Sequence, residues 1–179
     1  MSSLAAARTV RSVAGSLLGL LLLTAVPPAL HAQGSQPSSE ADAIVGLWAT
    51  EDEEAHVEIA REGDTYAGKI VWLEEPIYPP DDERGMGGQK KVDRNNPDES
   101  LHRRPILGLE MMNGFEHAGD GLWKGGKIYD PDNGKTYKCK LTLQEDGSLG
   151  VRGYIGFSLL GRTSTWTPVK NGPREDPSP

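Results

Sequence analysis

Apolar and polar residues alternate at every second position over several short stretches of this chain, and tight-turn signals separate those stretches. The clearest is 135–144, where Tyr137, Cys139, Leu141 and Leu143 alternate with Lys138, Lys140, Thr142 and Gln144. A period of two buries one face of a strand and wets the other. The same pattern puts Val57 and Ile59 on one face of 55–61. In 65–73 it puts Tyr66, Gly68, Ile70 and Trp72 on one face, with Ala67, Lys69, Val71 and Leu73 opposite. Runs at 44–50, 105–112, 122–124, 127–129, 149–155 and 161–169 complete the predicted series.

The intervening segments explain why the runs end. Glu62-Gly63-Asp64, Asp130-Pro131-Asp132-Asn133-Gly134 and Glu145-Asp146-Gly147-Ser148 are turn sequences. Glycine and asparagine tolerate positive φ, and proline fixes φ. No stretch carries a long amphipathic helical pattern. The prediction is an all-β fold, an up-and-down antiparallel β-barrel of about eight or nine strands, since closure removes exposed strand edges. Gly68, Gly108, Gly153, Gly156 and Gly161 sit in or beside strands, where glycine marks the sharp bends of a barrel.

The ends of the chain read differently. Arg8 and Arg11 precede a leucine-rich apolar run over 13–26, broken by Pro27 and Pro28 and followed by Ala29 and Ala32. This is the build of a secretory signal peptide over 1–32, with cleavage expected after Ala32. The run is too short for the roughly 20 apolar residues that span a bilayer, so the cleaved chain is not expected to be membrane-spanning. No cysteine follows the small residues and no paired arginine precedes the run. General secretion to the periplasm or the medium is therefore expected. Residues 33–43 read as a disordered linker and 170–179 as a disordered tail, which leaves one domain at 44–169.

Charge narrows the partners. The leader takes away two arginines and no acids, so 17 basic against 26 acidic residues leave −9. That balance weighs against nucleic acid or an anionic membrane surface, both of which need basic patches. Cys139, the single cysteine, shares a strand face with apolar neighbours and reads as a buried small residue.

Chemical motifs are absent or fail on spacing. Gly134-Lys135-Thr136 lacks the glycine five residues earlier, where Tyr129 stands, and a strand follows it instead of a helix. Residues 93–99 are oxygen-rich but lack EF-hand spacing, and read as a turn in which Asn96 caps a short helix at 97–102. His56, His102 and His117 show no metal spacing, and no Gly-x-Ser-x-Gly elbow occurs. No catalytic residue, metal ligand or cofactor is therefore assigned.

What remains is a long irregular segment at 74–104 and a set of large aromatics: Trp48, Trp72, Trp123, Trp166, Tyr129, Tyr137 and Tyr154. Segments of that length in a compact domain often serve as lids or binding loops. The aromatics suit a lined cavity and, equally, a barrel filled solid. In the first case the protein binds a small apolar or amphipathic ligand inside the barrel. Trp48, Trp72, Tyr137, Tyr154 and Trp166 then line or floor the cavity, and Arg104, Arg152 and Arg162 neutralise a ligand carboxylate or phosphate. In the second it is a solid-cored module that docks an envelope protein through 74–104.

Gly46-Leu47-Trp48 opening the first strand resembles the lipocalin signature, in which a late arginine packs over the tryptophan. Arg162 is the candidate for that arginine. A wider pattern runs through Gly46-x-Trp48, Gly68-Lys69-Ile70-Val71-Trp72, Asp93-x-Asn95-x-Pro97, Arg104-Pro105, Trp123-x-Gly125-Gly126-x-Ile128-Tyr129-Asp130-Pro131, Gly134-x-x-Tyr137 and Val151-Arg152-Gly153-Tyr154 into Gly161-Arg162 and Trp166. This is similar to the domain of unknown function 2147 family of small exported bacterial proteins. The resemblance implies a periplasmic or secreted lipocalin-like barrel, no established activity and no catalytic residues.

Overall fold

A computed structural model describes residues 39–170, all within the compact unit Ser35–Pro179. The expected leader lies outside the described residues, as do 33–38 of the linker and 171–179 of the tail. Nine strands form: β1 (Gly46–Ala49), β2 (Ala55–Glu62), β3 (Thr65–Leu73), β4 (Glu110–His117), β5 (Leu122–Lys124), β6 (Lys127–Asp130), β7 (Lys135–Leu143), β8 (Leu149–Tyr154) and β9 (Gly161–Pro168). Every pairing is antiparallel. β1 meets both β2 and β9, and β3 meets β4, so the sheet closes on itself.

β5 and β6 each pair with β4 on one side and β7 on the other. They are two halves of one wall strand, and the cylinder has eight positions. Gly125-Gly126 makes the break. A Cβ on Gly126 would lie 2.5 Å from the Phe115 ring, so only glycine lets that ring seat against the wall.

The interior is filled. Trp48, Tyr66, Met112, Phe115, Trp123, Leu141 and Trp166 are buried members of one apolar cluster. Full burial of such a side chain contributes about 1.5–3 kcal/mol. A Cβ on Gly68 would come within 2.5 Å of Met112 Cγ, which measures how tightly the interior is packed. The base of the barrel is tied off by a 3-10 turn at Glu40–Asp42. Trp123 Nε1 donates to Ala41 O (3.0 Å) and Tyr66 Oη to Asp42 Oδ1 (2.8 Å). Ordered chain thus begins before Ile44, inside the segment expected to be a linker.

Three strand details differ from expectation. β1 starts at Gly46, two residues later than the predicted run. β4 occupies Glu110–His117 instead of 105–112. Gly114, at φ 73°, lies inside the strand. Residues 105–109 instead belong to the preceding connection. The third is Trp72. Register slips between His56 and Val57, so His56 pairs with Trp72 while Val57 pairs with Ile70. The slip leaves Val71 as an extra residue and turns Trp72 onto the face of His56, opposite the core. Its ring stacks on His56 at 4.4 Å between centroids, and it does not belong to the main cluster.

Candidate functional site

Antiparallel order collects the β1–β2 turn, the β3–β4 connection, the β6–β7 turn and the β8–β9 loop at one end, the mouth. The β3–β4 connection is folded. Bridges at Ile77↔Lys90 and Val92↔Pro105 fold it back on itself. Arg94 Nη1 donates to Asp82 Oδ1 (2.7 Å) while its guanidinium lies 4.0 Å over the Tyr78 ring. The short helix is a 3-10 turn at Glu99–Leu101. Its cap is Asp98, which accepts from Ser100 N at 3.0 Å, not Asn96. Asn96 Oδ1 instead accepts from Asp98 N.

Asp93 is the anchor of this connection and has no exposed side-chain surface. Its Oδ1 accepts from Tyr129 Oη (2.6 Å). Its Oδ2 accepts from Asn96 Nδ2 (2.8 Å) and Arg104 Nη2 (2.5 Å). Burial alone raises a carboxyl pKa, but these three donors more than offset it and hold Asp93 below its ordinary value. Burial, reinforced by the Asp93 hydrogen bond, pushes the Tyr129 phenol up to about 12. Next to it, Asn95 Nδ2 donates to the carbonyls of Pro131 (3.0 Å) and Asp132 (2.9 Å). Gly134, at φ +70°, lies flat against the Asn95 carbonyl, so the β6–β7 turn and the connection lock together.

Beside this lock is an open cleft of ≈ 370 Å³, lined by Asn96, Pro97, Arg104, Glu110, Met111, Asn113, Lys127, Tyr129 and Thr136. It lies outside the wall, because Lys127, Tyr129 and Thr136 alternate with the inward residues Ile128 and Tyr137. Arg104 brings one cation, half spent on Asp93. Its Nε is buried and has no hydrogen-bond partner. Lys127 brings a second. Pro97 and Met111 supply apolar surface. Among the described residues no cluster of His, Cys, Asp or Glu is arranged to hold a metal ion.

The residues proposed from sequence are spread over the molecule. Trp48 and Trp166 are core, with Nε1 donating to Ile44 O (2.9 Å) and Ser164 Oγ (3.1 Å). Trp72 lies across the wall from them. Tyr137 faces inward near the mouth, and its hydroxyl accepts from Asn133 Nδ2 (3.1 Å). Tyr154 and Arg152 are on the outer wall. Arg104 alone lines the cleft. Arg162 does not cover Trp48. The register puts Pro168 beside Trp48, and six residues along a strand is roughly 20 Å. Arg162 is 84% exposed and pairs with Glu51 at 3.6 Å. Asp93, Asn96 and Tyr129 were not read as one site, because 36 residues separate Asp93 from Tyr129. The signal lay in the polar run at 93–98 followed by Arg104-Pro105.

Residues 46–168 match the model of a family described as uncharacterized proteins conserved in bacteria, DUF2147. The chain belongs to that family. Among solved structures it is similar to protein HP1028 from Helicobacter pylori, described as belonging to the lipocalin family. The two share 22% sequence identity at a TM-score of 0.59, over 71% of this chain and 83% of that one. The likeness is one of fold. No match is found among curated proteins. Several of the positions that carried the DUF2147 resemblance are now accounted for structurally: Asp93, Asn95, Arg104, Tyr129 and Gly134 make the mouth lock, and Gly125-Gly126 makes the split strand.

Proposed function

We propose that this DUF2147 protein is an exported, non-enzymatic carrier that binds a small amphipathic ligand in the cleft beside the mouth lock. The ligand lies outside the barrel, whose interior is already packed. One observation carries it: two cations, the partly exposed Arg104 and Lys127, line one cleft. A carboxylate or phosphate head would satisfy both cations, while Pro97 and Met111 accept an apolar portion. The cleft volume is that of a small-molecule site. A non-enzymatic role is supported by fixed charge states. Asp93 is held ionised and Tyr129 held protonated, so neither exchanges a proton near neutrality. Export rests on the leader pattern, and the mass of the protein recovered outside the cytoplasm tests it.

Calorimetric titration with a medium-chain fatty carboxylate tests the binding. Lys127→Ala should weaken it by about tenfold, the scale of one charge-assisted bond, and Trp72→Ala should leave it unchanged. Absence of binding, or equal binding by the Lys127 variant, would refute the proposal. The filled core and the exposed Ile77 and Leu107 on the β3–β4 connection favour a second reading, an envelope protein docked on that connection. Substituting Ile77 and Leu107 by Ser would then abolish a complex that ligand does not affect.

A further inference from the structure

The β8–β9 loop carries four of the seven large apolar side chains that are exposed among the described residues. Ile155, Phe157, Leu159 and Leu160 are 67, 82, 88 and 79% exposed. Contiguous apolar surface of this kind marks an interaction site. The loop is also pre-shaped. Arg152 donates from Nε to Ser158 O (2.8 Å), from Nη1 to Thr163 Oγ1 (2.8 Å) and from Nη2 to Leu159 O (3.3 Å). Arg152 alternates with the core residue Val151, so its side chain is on the outer wall. The loop it holds therefore curls toward that wall and away from the mouth opening.

The same wall is cationic. Lys127 stands directly opposite Lys138 across β6–β7, and Lys140 opposite Arg152 across β7–β8. Like charges in register destabilise a sheet. The chain has 26 acidic residues, yet these four cations make no ion pair among the described residues. We infer that the β8–β9 loop and the β6–β8 outer wall dock the barrel on an anionic lipid surface. The apolar side chains enter the acyl boundary and the wall cations lie against headgroup phosphates. Apolar groups on a protruding tip, with cations set back along a wall, suit a planar surface better than a concave protein groove. Glu51, Asp52, Glu53 and Glu54 lie in the β1–β2 turn beyond β9, where Arg162 is already paired with Glu51. They tilt the barrel so that β7, not β1, faces the lipid. Net charge read from the sequence pointed away from such a surface, because it averages over a distribution the fold makes uneven.

Co-sedimentation of the purified protein tests this. The probes are vesicles of phosphatidylcholine, alone or mixed with phosphatidylglycerol. Binding is expected to the mixed vesicles only, and added salt should weaken it. Lys138→Glu with Lys140→Glu should weaken it by about tenfold or more. So should Phe157→Ser with Leu159→Ser, changes at exposed positions whose neutrality to the fold far-ultraviolet circular dichroism checks. In a Phe157→Cys variant the new thiol is the accessible one, since Cys139 is buried. An environment-sensitive dye on it should shift to the blue with mixed vesicles. No binding to either vesicle, equal binding to both, or full binding by the loop variant overturns the inference. So does a protein partner lost with the loop substitutions in the absence of lipid binding.

Discussion

Replacing Asp93 by Ala removes in one step the acceptor of Tyr129, Asn96 and Arg104. The carboxylate is wholly inside, so the donors are left facing protein. Deleting one partner of a buried ion pair costs about 3–5 kcal/mol, and a stranded neutral donor about 1–3 kcal/mol. The Arg104 side chain is 36% exposed, and water reaching it offsets part of the loss, which puts the expected cost near 3 kcal/mol. Urea unfolding followed by the fluorescence of the buried Trp123 and Trp166 measures it. With a slope of about 1–3 kcal/mol/M, the midpoint should fall by at least about 1 M. Asp93→Asn adds a pH test. In the native protein Asp93 titrates below the unfolded value of about 3.9, so its contribution is complete above that pH and lost as pH falls through the folded value. Asp42, Asp82, Asp98 and Asp146 are also held low, but they are common to both proteins and cancel in the difference. The stability gap between wild type and Asp93→Asn should stay constant from neutrality to about pH 5 and close below about pH 4. A loss under about 1 kcal/mol for the Ala variant, or a gap independent of pH, would refute the reasoning.

Gly134→Ala puts a methyl group into the Asn95 carbonyl at a positive φ. It should cost about 1–3 kcal/mol and separate the β6–β7 turn from the connection, and an unchanged melting temperature would contradict this. Burial pushes the Cys139 thiol up to about 12, so thiol reagents at mildly alkaline pH should label it only after unfolding, as read by mass spectrometry. Leu141→Ala should lower stability by about 2–5 kcal/mol, the cost of a cavity in a filled core. Trp72→Ala should cost about 3–5 kcal/mol, read by urea unfolding, without altering ligand binding at the cleft.

The hairpin succession was legible because local rules govern it: alternation at 135–143, Asn133-Gly134 and Asp146-Gly147 at the turns. What failed was non-local. One extra residue at Val71 reverses the side of Trp72, and no alternation rule announces a bulge. The arginine expected over Trp48 was assigned by motif, and register alone shows that Arg162 is at the other end of its strand. Asp93 was read only as part of the turn at 93–99. Of its partners, Arg104 is brought back by the fold of the same connection, at the Val92↔Pro105 bridge, while Tyr129 comes from β6, 36 residues away.

The cylinder is completed where its first and last strands meet, and that join is brief. Trp48 lies beside Pro168 and Ala49 beside Thr167, with Val169 N donating to Leu47 O at 2.8 Å. The amides of this join should be the first to exchange with deuterated solvent, ahead of the long β2–β3 and β7–β8 ladders. Opening there exposes two complementary borders at once, each able to accept the matching strand of another molecule. Mild destabilisation should therefore yield strand-exchanged dimers before it yields unfolded chain.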